Sequence, residues 1–452
     1  MWIALGLALA ASPAPQPARN DDPFEALARA FVTKLAAGDD RGALGLFDAA
    51  AQPHLTAQSL GERFDALAVQ MGTFQSIVEV RQSAAAPSSG GAHHVGVTCL
   101  FRLGKIDLDI VESSRSAVVD FWVRPAGSVA GAADPQAARW SPPPYGPAAA
   151  AEERQVTLGE APWVLPGALV LPRQRSVALP LIVLLGGSGP TDRDSTVGRD
   201  KPFKDLAFGL ASRGVATLRF DKRTLAHAAA VKAQVGSFTP IDEYADDTQA
   251  ALVVALATPE IDPRRIFLAG HSMGGQLGPR LVAADSRWAG LIVLEGPTQP
   301  LGEELLRQHE ALLARAGEID GASQAELDTT RNAALALADP ALAPDAGLKL
   351  FGVPLSLAYA RAWAAERPVE TARHLHRPIL IVQGAKDVQV DLTDYNGWVL
   401  GLADVPQVAY RLFAKTNHLL MSEGASAGTT VGHVDPAIVE ALAAFVREPP
   451  RD

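Results

Sequence analysis

The sequence is poor in cysteine and in long apolar runs. Its 452 residues include one cysteine, Cys99, which excludes an internal disulfide and a metal site built from several thiolates. Beyond the N-terminus, no stretch reaches transmembrane length without charges. The formal net charge is −10, which argues against nucleic acid or an anionic membrane as partner. With 48% hydrophobic and 20% charged residues, the composition is globular, and the chain is long enough for two domains.

The first 21 residues have the pattern of a secretory signal. An apolar run from Trp2 to Ala11 leads into small residues and prolines. A bilayer-spanning helix needs roughly 20 apolar residues, so this run is too short for one, and "ALAAS" fits a cleavage site. A basic segment before the run is missing, and no cysteine follows it to carry a lipid anchor. We expect a periplasmic or secreted protein, or a cytoplasmic one if the run is not a signal.

Residues 22–125 have the pattern of a small α+β domain. Apolar residues at helical spacing in "DPFEALARAFVTKLAAGD" are followed by a second short helix and a third, "SLGERFDALAVQMG". Four strand-like segments then predict an antiparallel meander, as in "FQSIVEVRQ" and "KIDLDIVES". This pattern resembles the ketosteroid-isomerase-like cone domains that precede some bacterial hydrolases. Asp107 and Asp109 alternate with apolar residues and are predicted to face solvent, which argues against a catalytic role for them. We therefore expect this domain to serve in packing or in substrate screening.

Residues 126–151 are rich in Pro, Ala and Gly and predict a linker. From 152 to 452, buried apolar strands alternate with amphipathic helices, which predicts a parallel sheet covered on both faces. The strand pattern stops between about 297 and 373. Helical sequence such as "LGEELLRQHEALLARAG" fills this gap and predicts an inserted helical cap.

The segment "RIFLAGHSMGG" places Ser272 between a strand and a helix that begins near Met273. In a parallel sheet, functional groups gather at the carboxyl ends of the strands. Gly270, Gly274 and Gly275 supply the room that a strained strand-to-helix turn needs. The pattern therefore favours Ser272 as a nucleophile over a tight packing turn with an idle serine.

A nucleophilic serine needs a base, usually a histidine held by a carboxylate. Asp387 follows the strand "PILIVQG", and His418 follows the next one, "VAYRLFA". The order Ser, Asp, His is the order this kind of sheet requires. Asp391 and Asp394 are competing acids, but they lie further from the strand end than Asp387. His374 and His376 precede the strand "PILIVQG" and so lie at its wrong end. His433 precedes the last helix.

The oxyanion hole requires two backbone amides that converge on one point. Met273 follows the nucleophile and offers one amide. The second is expected from the glycine loop after "LIVLL", where Ser188 is the first choice and Gly187 the next.

Five segments together resemble the α/β-hydrolase superfamily: "LLGGSGPTDRD", "LRFDKR", "GHSMGG", "QGAKDVQV" and "TNHLL". Within it they look like bacterial acetyl-esterase-like hydrolases, which are grouped with serine-aminopeptidase-like and acyl-CoA-thioesterase-like enzymes. Two positions depart from that pattern, since Gly186 replaces a histidine and Thr224 a glycine.

The resemblance implies that charged residues of two of these segments buttress the oxyanion loop: Asp192, Arg193, Asp194, Asp221, Lys222 and Arg223. Charges packed beside strand ends are usually paired and structural. A second interpretation makes Arg193 a clamp for a substrate carboxylate.

The predicted function is hydrolysis of small carboxylic esters, through an acyl-enzyme on Ser272 with His418 as base and Asp387 as orienting acid. No metal or organic cofactor is expected, and the partner is a small acyl substrate. Amide, thioester or acyl-transfer chemistry on the same triad is the alternative. A different class would be a non-catalytic binding protein with a relic hydrolase domain.

Overall fold

The structure of the chain, a computed structural model, describes most of the sequence after residue 21. The described ranges are 22–48, 56–57, 60–61, 64, 67, 74–82, 93–101, 104–125, 140–175, 177–197, 200–234, 236–316, 321–339, 341–342, 347–350, 353–422 and 432–449. The predicted signal, residues 126–139 of the predicted linker and most of the predicted helix 59–72 lie outside them.

The N-terminal unit is a four-stranded antiparallel sheet with a long helix. Its elements are α1 (Pro23–Ala36), α2 (Asp40–Leu44), β1 (Phe74–Gln82), β2 (His93–Phe101), β3 (Gly104–Glu112) and β4 (Val118–Pro125). The strands pair in chain order, so the predicted meander is confirmed. α1 begins where predicted because Asp22 accepts a hydrogen bond from the Phe24 amide (2.9 Å) and a proline occupies its first turn.

Asp107 and Asp109 are buried on β3, with 2% and 1% of their surface exposed, so the expectation that they face solvent is wrong. Asp107 accepts hydrogen bonds from Thr98 Oγ1 (2.6 Å) and Arg81 Nη2 (2.9 Å). Asp109 Oδ2 lies 3.3 Å from His94 Nδ1. Alternate residues of a strand point to opposite faces of the sheet, so the two carboxylates lie on the face opposite the apolar residues. Whether that face is exposed depends on tertiary packing, which the alternation does not predict.

The C-terminal unit is built on an eight-stranded sheet. Its strands are β5 (Ala151–Leu158), β6 (Leu165–Pro172), β7 (Leu179–Leu185), β8 (Ala216–Phe220), β9 (Ile261–His271), β10 (Gly290–Leu294), β13 (Ile379–Gly384) and β14 (Val408–Phe413). Their order across the sheet is β14-β13-β10-β9-β7-β8-β6-β5. β5 and β6 are antiparallel, and the six others run parallel, as the alternation of apolar strands and helices predicts.

Helices cover both faces of this sheet. They are α3 (Pro202–Ala211), α4 (Arg223–Ala226), α5 (Ala228–Lys232), α6 (Pro240–Leu256), α7 (Met273–Ala283), α8 (Leu301–Ala316), α9 (Gly321–Ala338), α10 (Leu357–Ala364), α11 (Pro368–Arg373), α12 (Leu392–Gly401) and α13 (Pro436–Arg447). Alternate residues of β7 face opposite ways: Leu181 and Val183 pack with α6 and α7, whereas Ile182 and Leu184 pack with α3 and α13. Full burial on both sides explains the continuous apolar sequence of β7.

The insertion between β10 and β13 contains α8, α9, a hairpin and α10. The hairpin strands are β11 (Gly347–Leu350) and β12 (Val353–Ser356), so the expectation that no strand occurs in this region is wrong. Four-residue strands are too short to show a period in sequence. The insertion is tied to α12 by ion pairs from Arg307 to Asp391 and Asp394.

The last part of the predicted linker packs against the large sheet. Trp140 Nε1 donates to Asp205 Oδ1 of α3 (2.7 Å), and Tyr145 Oη donates to the Val434 carbonyl (2.6 Å). Within the described part of the chain, no helix has the length and apolarity needed to cross a bilayer.

Candidate active site

Ser272 occupies the turn between β9 and α7 with a strained backbone. Its φ of 54° and ψ of −123° lie in a region that side chains rarely adopt. Glycine is required on both sides, because a Cβ on Gly270 would lie 2.1 Å from the Gly274 carbonyl oxygen. The amide of Ser272 donates to the Leu294 carbonyl of β10 (2.9 Å), which anchors the turn to the sheet.

Asp387 and His418 are brought together at the same edge. His418 Nδ1 lies 2.7 Å from Asp387 Oδ2. The other Asp387 oxygen accepts from the amides of Gln389 (2.8 Å) and Val390 (3.0 Å), which sets the carboxylate plane. Burial opposes ionisation, but His418 and these amides outweigh it and lower the pKa of Asp387. An ionised Asp387 holds the proton of His418 on Nδ1, so Nε2 is left to accept a proton.

His271 connects the serine turn to the histidine loop. Its Nε2 lies 2.8 Å from the backbone oxygen of His418, and the two rings are 4.7 Å apart between centroids. Burial, followed by the nearby His418, lowers the pKa of His271 to about 3. The ring is therefore neutral, and it carries its proton on Nε2 because a carbonyl can only accept. Sequence reasoning missed this role, although His271 stands directly before Ser272.

The glycine loop after β7 lies against Ser272. A Cβ built on Gly187 would be 3.0 Å from the Cβ of Ser272. The Gly187 carbonyl accepts from Lys222 Nζ (2.6 Å) and Tyr244 Oη (2.7 Å). Since C=O and N–H point in opposite directions across a trans peptide, these two donors aim the Ser188 amide away from Lys222.

Lys222 is itself held in a buried network behind the loop. Its Nζ also donates to the Gly189 carbonyl (2.9 Å) and lies 2.7 Å from Glu243 Oε1. Burial lowers the pKa of Lys222, and Glu243 opposes that shift. The Tyr359 hydroxyl of the cap donates to Glu243 and lies 3.7 Å from Met273 Sδ. The network therefore joins the cap to both sides of the predicted oxyanion hole.

Arg193 is bound to Asp221 through two of its nitrogens. Nε lies 2.8 Å from Oδ1 and Nη2 lies 2.9 Å from Oδ2, while Nη1 donates to Gln155 (2.9 Å) and to the Gly167 carbonyl (3.1 Å). These contacts support a buttress for the segment beside the glycine loop.

The rest of the predicted buttress is also paired. Asp194 lies 3.0 Å from Arg219 Nε and 2.9 Å from Lys201 Nζ, and Arg223 Nη2 lies 2.6 Å from Asp247 Oδ1. Asp192 accepts from the Thr196 amide (2.8 Å).

The competing acids serve other contacts. Asp391 caps α12 by accepting from the Thr393 amide (2.7 Å). Asp394 accepts from the amides of Thr298 (2.6 Å) and Gln299 (3.1 Å) at the base of the cap.

The competing histidines lie elsewhere. His433 Nδ1 lies 3.1 Å from both oxygens of Asp205. His374 and His376 come between α11 and the amino end of β13.

Sequence reasoning also missed Glu295, which follows β10. It stands near the end of the apolar segment "AGLIVLEG", at the same sheet edge as Ser272.

Part of the chain matches the model of a known enzyme family, and nearly all of it aligns with an esterase. Residues 201–425 match the model of a family described as serine aminopeptidase, S33. The chain is 28% identical to esterase EstD of Thermotoga maritima over 430 residues, which cover 94% of this chain and 95% of the relative.

Among solved structures, Est1E from Butyrivibrio proteoclasticus aligns with a TM-score of 0.44 and 19% identity, over 65% of this chain and 97% of that one. The Pyrococcus horikoshii acylaminoacyl peptidase aligns with a TM-score of 0.45 and 12% identity, over 84% of this chain and 56% of the other.

The mostly parallel sheet and the similarity to known hydrolases together indicate the class of this protein. It has the α/β-hydrolase fold and is an enzyme of the serine hydrolase type.

Proposed function

We propose that this chain hydrolyses small carboxylic esters through an acyl-enzyme on Ser272. The observation that carries the proposal is the 2.7 Å contact of His418 with buried Asp387. The strained turn of Ser272 is joined to the His418 loop through the preceding residue, His271. The similarity to an esterase along nearly the whole chain favours an ester as substrate.

In the proposed mechanism each side chain has one role. Ser272 Oγ attacks the acyl carbon, and His418 Nε2 takes its proton. Asp387 keeps the imidazole oriented and stabilises its charged form. The alcohol leaves with the proton from His418, and a water molecule activated by the same histidine then releases the acid from Ser272. Each proton taken by His418 is returned within the cycle, so the protein ends unchanged.

The tetrahedral oxyanion is assigned to two backbone amides, those of Ser188 and Met273, with Gly187 as the alternative in the loop. Met273 opens α7, where helix geometry leaves the first amides unbonded and adds a favourable dipole. Lys222 and Tyr244 donate hydrogen bonds to the Gly187 carbonyl, which belongs to the same peptide as the Ser188 amide and so orients that amide. A pair of such donors contributes several kcal/mol in related chemistry, about 2.7–4 for one donor.

Cleavage of an amide bond is the second candidate, because the matching family is described as a serine aminopeptidase. Both reactions use the same triad, and thioesters or acyl transfer to another acceptor use it too. The choice depends on side chains of the cap, and the esterase relative makes the ester the first substrate to test.

Outside the triad, we propose that residues 1–21 direct export and that 22–125 form an accessory domain of the ketosteroid-isomerase-like pattern. Packing or screening of substrate is its proposed role. The hydrolase domain is assigned to 152–452, with the cap at about 297–373.

The test compares an ester, a thioester and an amide of matched acyl length, using p-nitrophenyl acetate as the ester. The variants are Ser272→Ala, Asp387→Asn and Ser286→Ala, the last a matched control on an exposed serine before β10. We expect Ser272→Ala to abolish turnover and Asp387→Asn to lower kcat by about 10³–10⁴-fold, while the control retains its rate.

Retention of most activity in Ser272→Ala would reject the nucleophile. Faster turnover of the amide than of the ester would favour the peptidase. A folded wild-type protein that turns over none of the three and resists a fluorophosphonate probe would favour a binding protein.

A further inference from the structure

Glu295 is a fully buried carboxyl group that the proposed mechanism does not use. It follows β10 directly, has none of its surface exposed, and adopts a φ of 49°. A buried carboxyl group in strained backbone costs stability unless its surroundings hold it in place. Contacts with the neighbouring strand and loop supply that support.

The register of two neighbouring strands brings Glu295 to the loop that carries Asp387. Leu294 of β10 pairs with Val382 of β13, and the Glu295 amide donates to the Val382 carbonyl (3.0 Å). Both carboxyl oxygens of Glu295 accept from the Gly384 amide, at 2.9 and 3.0 Å. Gly384 ends β13, and its carbonyl accepts from the Asp387 amide (3.2 Å). Glu295 and Asp387 therefore hold the two sides of Gly384, its amide and its carbonyl, and their charges are close enough to interact.

The charges around this pair determine which carboxyl group is ionised. Asp387 has two amides and His418 as donors. Glu295 has the Gly384 amide and the smaller influence of the Gln383 side chain, and it faces a negative neighbour. Among the described residues, His271 pairs with Leu294, the residue before Glu295, and its ring is neutral. Two adjacent buried carboxyl groups cannot both ionise cheaply, so one retains its proton. Burial, and then the charge of Asp387, raise the pKa of Glu295 well above its ordinary value.

We propose that Glu295 is a positioning residue, a neutral carboxylic acid that donates its proton in a hydrogen bond to Asp387. This inference rests on the proposed triad. The donated hydrogen bond holds the Asp387 carboxylate against His418 and draws charge from it. Because a weaker negative charge attracts the imidazole proton less, Glu295 lowers the pH at which His418 loses that proton.

Two substitutions separate this role from a structural one. Glu295→Gln keeps the shape, one acceptor for the Gly384 amide and one donor for Asp387, so it mimics a neutral acid. Glu295→Met fills the space with no donor. The readout is the midpoint of the His418 imidazole titration by NMR, with the signal assigned through His418→Gln. We expect Glu295→Gln to move this midpoint by less than about 0.3 pH unit and Glu295→Met to raise it by about one unit, tenfold in proton affinity.

Two results would overturn the proposal. A fall of about one unit in Glu295→Gln would mean that wild-type Glu295 is ionised and adds its own charge. An unchanged midpoint in a folded Glu295→Met would mean that the two carboxyl groups are not coupled. If Glu295→Met does not fold, the infrared C=O stretch of a protonated acid decides: it should disappear from the wild-type spectrum in Glu295→Gln, and its persistence would reject the neutral acid.

Glu112→Gln is the matched control. Glu112 is also fully buried, on β3 of the N-terminal sheet, and burial raises its pKa to about 8. Its substitution should remove a protonated-acid band without moving the His418 midpoint. Because the NMR and infrared signals need no turnover, they report on Glu295 even if the ester assay fails. Failure of that assay would reject the proposed function separately.

Discussion

The ammonium group of Lys222 donates to the carbonyl of Gly187 at 2.6 Å, and the same carbonyl accepts from Tyr244. Two buried donors therefore fix the orientation of the peptide that carries the Ser188 amide. The loop proposed to hold the oxyanion is therefore fixed by hydrogen bonds from Lys222, which follows β8, and from Tyr244 of α6. Four predictions test the consequences of this and neighbouring contacts.

The first concerns Tyr244→Phe. It removes one donor to the Gly187 carbonyl while Lys222 keeps the loop in place, so the chain should still fold. We expect kcat for p-nitrophenyl acetate to fall about 3–10-fold, the value of one hydrogen bond, with little change in KM. Tyr410→Phe is the control, because the Tyr410 hydroxyl has no partner among the described residues. Equal effects of the two substitutions would argue against a role for Tyr244 at the oxyanion loop.

The second concerns Gly274→Ala. A Cβ there would lie 2.6 Å from the Gly186 oxygen and 2.8 Å from the Leu185 oxygen, and neither backbone atom can move freely. We expect a loss of stability of about 1–3 kcal/mol and a fall in kcat of about 10–100-fold as the loop is displaced. Chemical denaturation and steady-state kinetics measure the two effects.

The control for this steric prediction is Gly45→Ala. Its added Cβ would lie 3.4 Å from the Gly42 oxygen, an ordinary contact, and φ is −63°. This substitution should be close to neutral. A stable and fully active Gly274→Ala variant would contradict the close approach of the oxyanion loop to α7.

The third separates the two interpretations of Arg193. A buttress predicts that Arg193→Gln destabilises the fold by about 1–3 kcal/mol, and that KM changes equally for p-nitrophenyl acetate and its anionic hemisuccinate counterpart. A carboxylate clamp predicts a selective rise in KM for the anionic ester. The paired geometry with Asp221 favours the first outcome.

The fourth concerns pH and His433. The hydrogen bond to Asp205, with the added charges of Asp205 and Asp200, raises the pKa of His433 above 6.5 although burial opposes this. A raised pKa in the folded state means that the contribution to stability is complete below 6.5 and is lost as pH rises through the folded value. The melting temperature of His433→Asn should therefore fall most below wild type at acidic pH, and the gap should narrow toward alkaline pH.

The same variant also tests the choice of base. Because His433 contacts Asp205 of α3 and not the triad acid, its rate at neutral pH should remain near that of wild type. A collapse of activity in a folded His433→Asn protein would mean that His433, and not His418, is the base.

Elements with a local signal could be predicted from the order of the residues alone. Continuous apolar strands between amphipathic helices defined a parallel sheet, and such a sheet collects the ends of its strands at one edge. The positions of Ser272, Asp387 and His418, each shortly after a strand of this sheet, could therefore be predicted to share that edge. The lack of space for side chains next to Ser272 is also a local property, so the glycines around it predicted the tight turn.

Contacts that join distant segments depend on the three-dimensional packing of the chain. His271 reaches the His418 carbonyl across 147 positions of chain, and Glu295 meets the Asp387 loop through the pairing of β10 with β13. A lone histidine or glutamate at a strand end has no period or motif of its own. The role of such a residue depends on which neighbour faces it. The burial of Asp107 and Asp109 likewise depends on the segments packed against β3, which the sequence of one strand does not reveal.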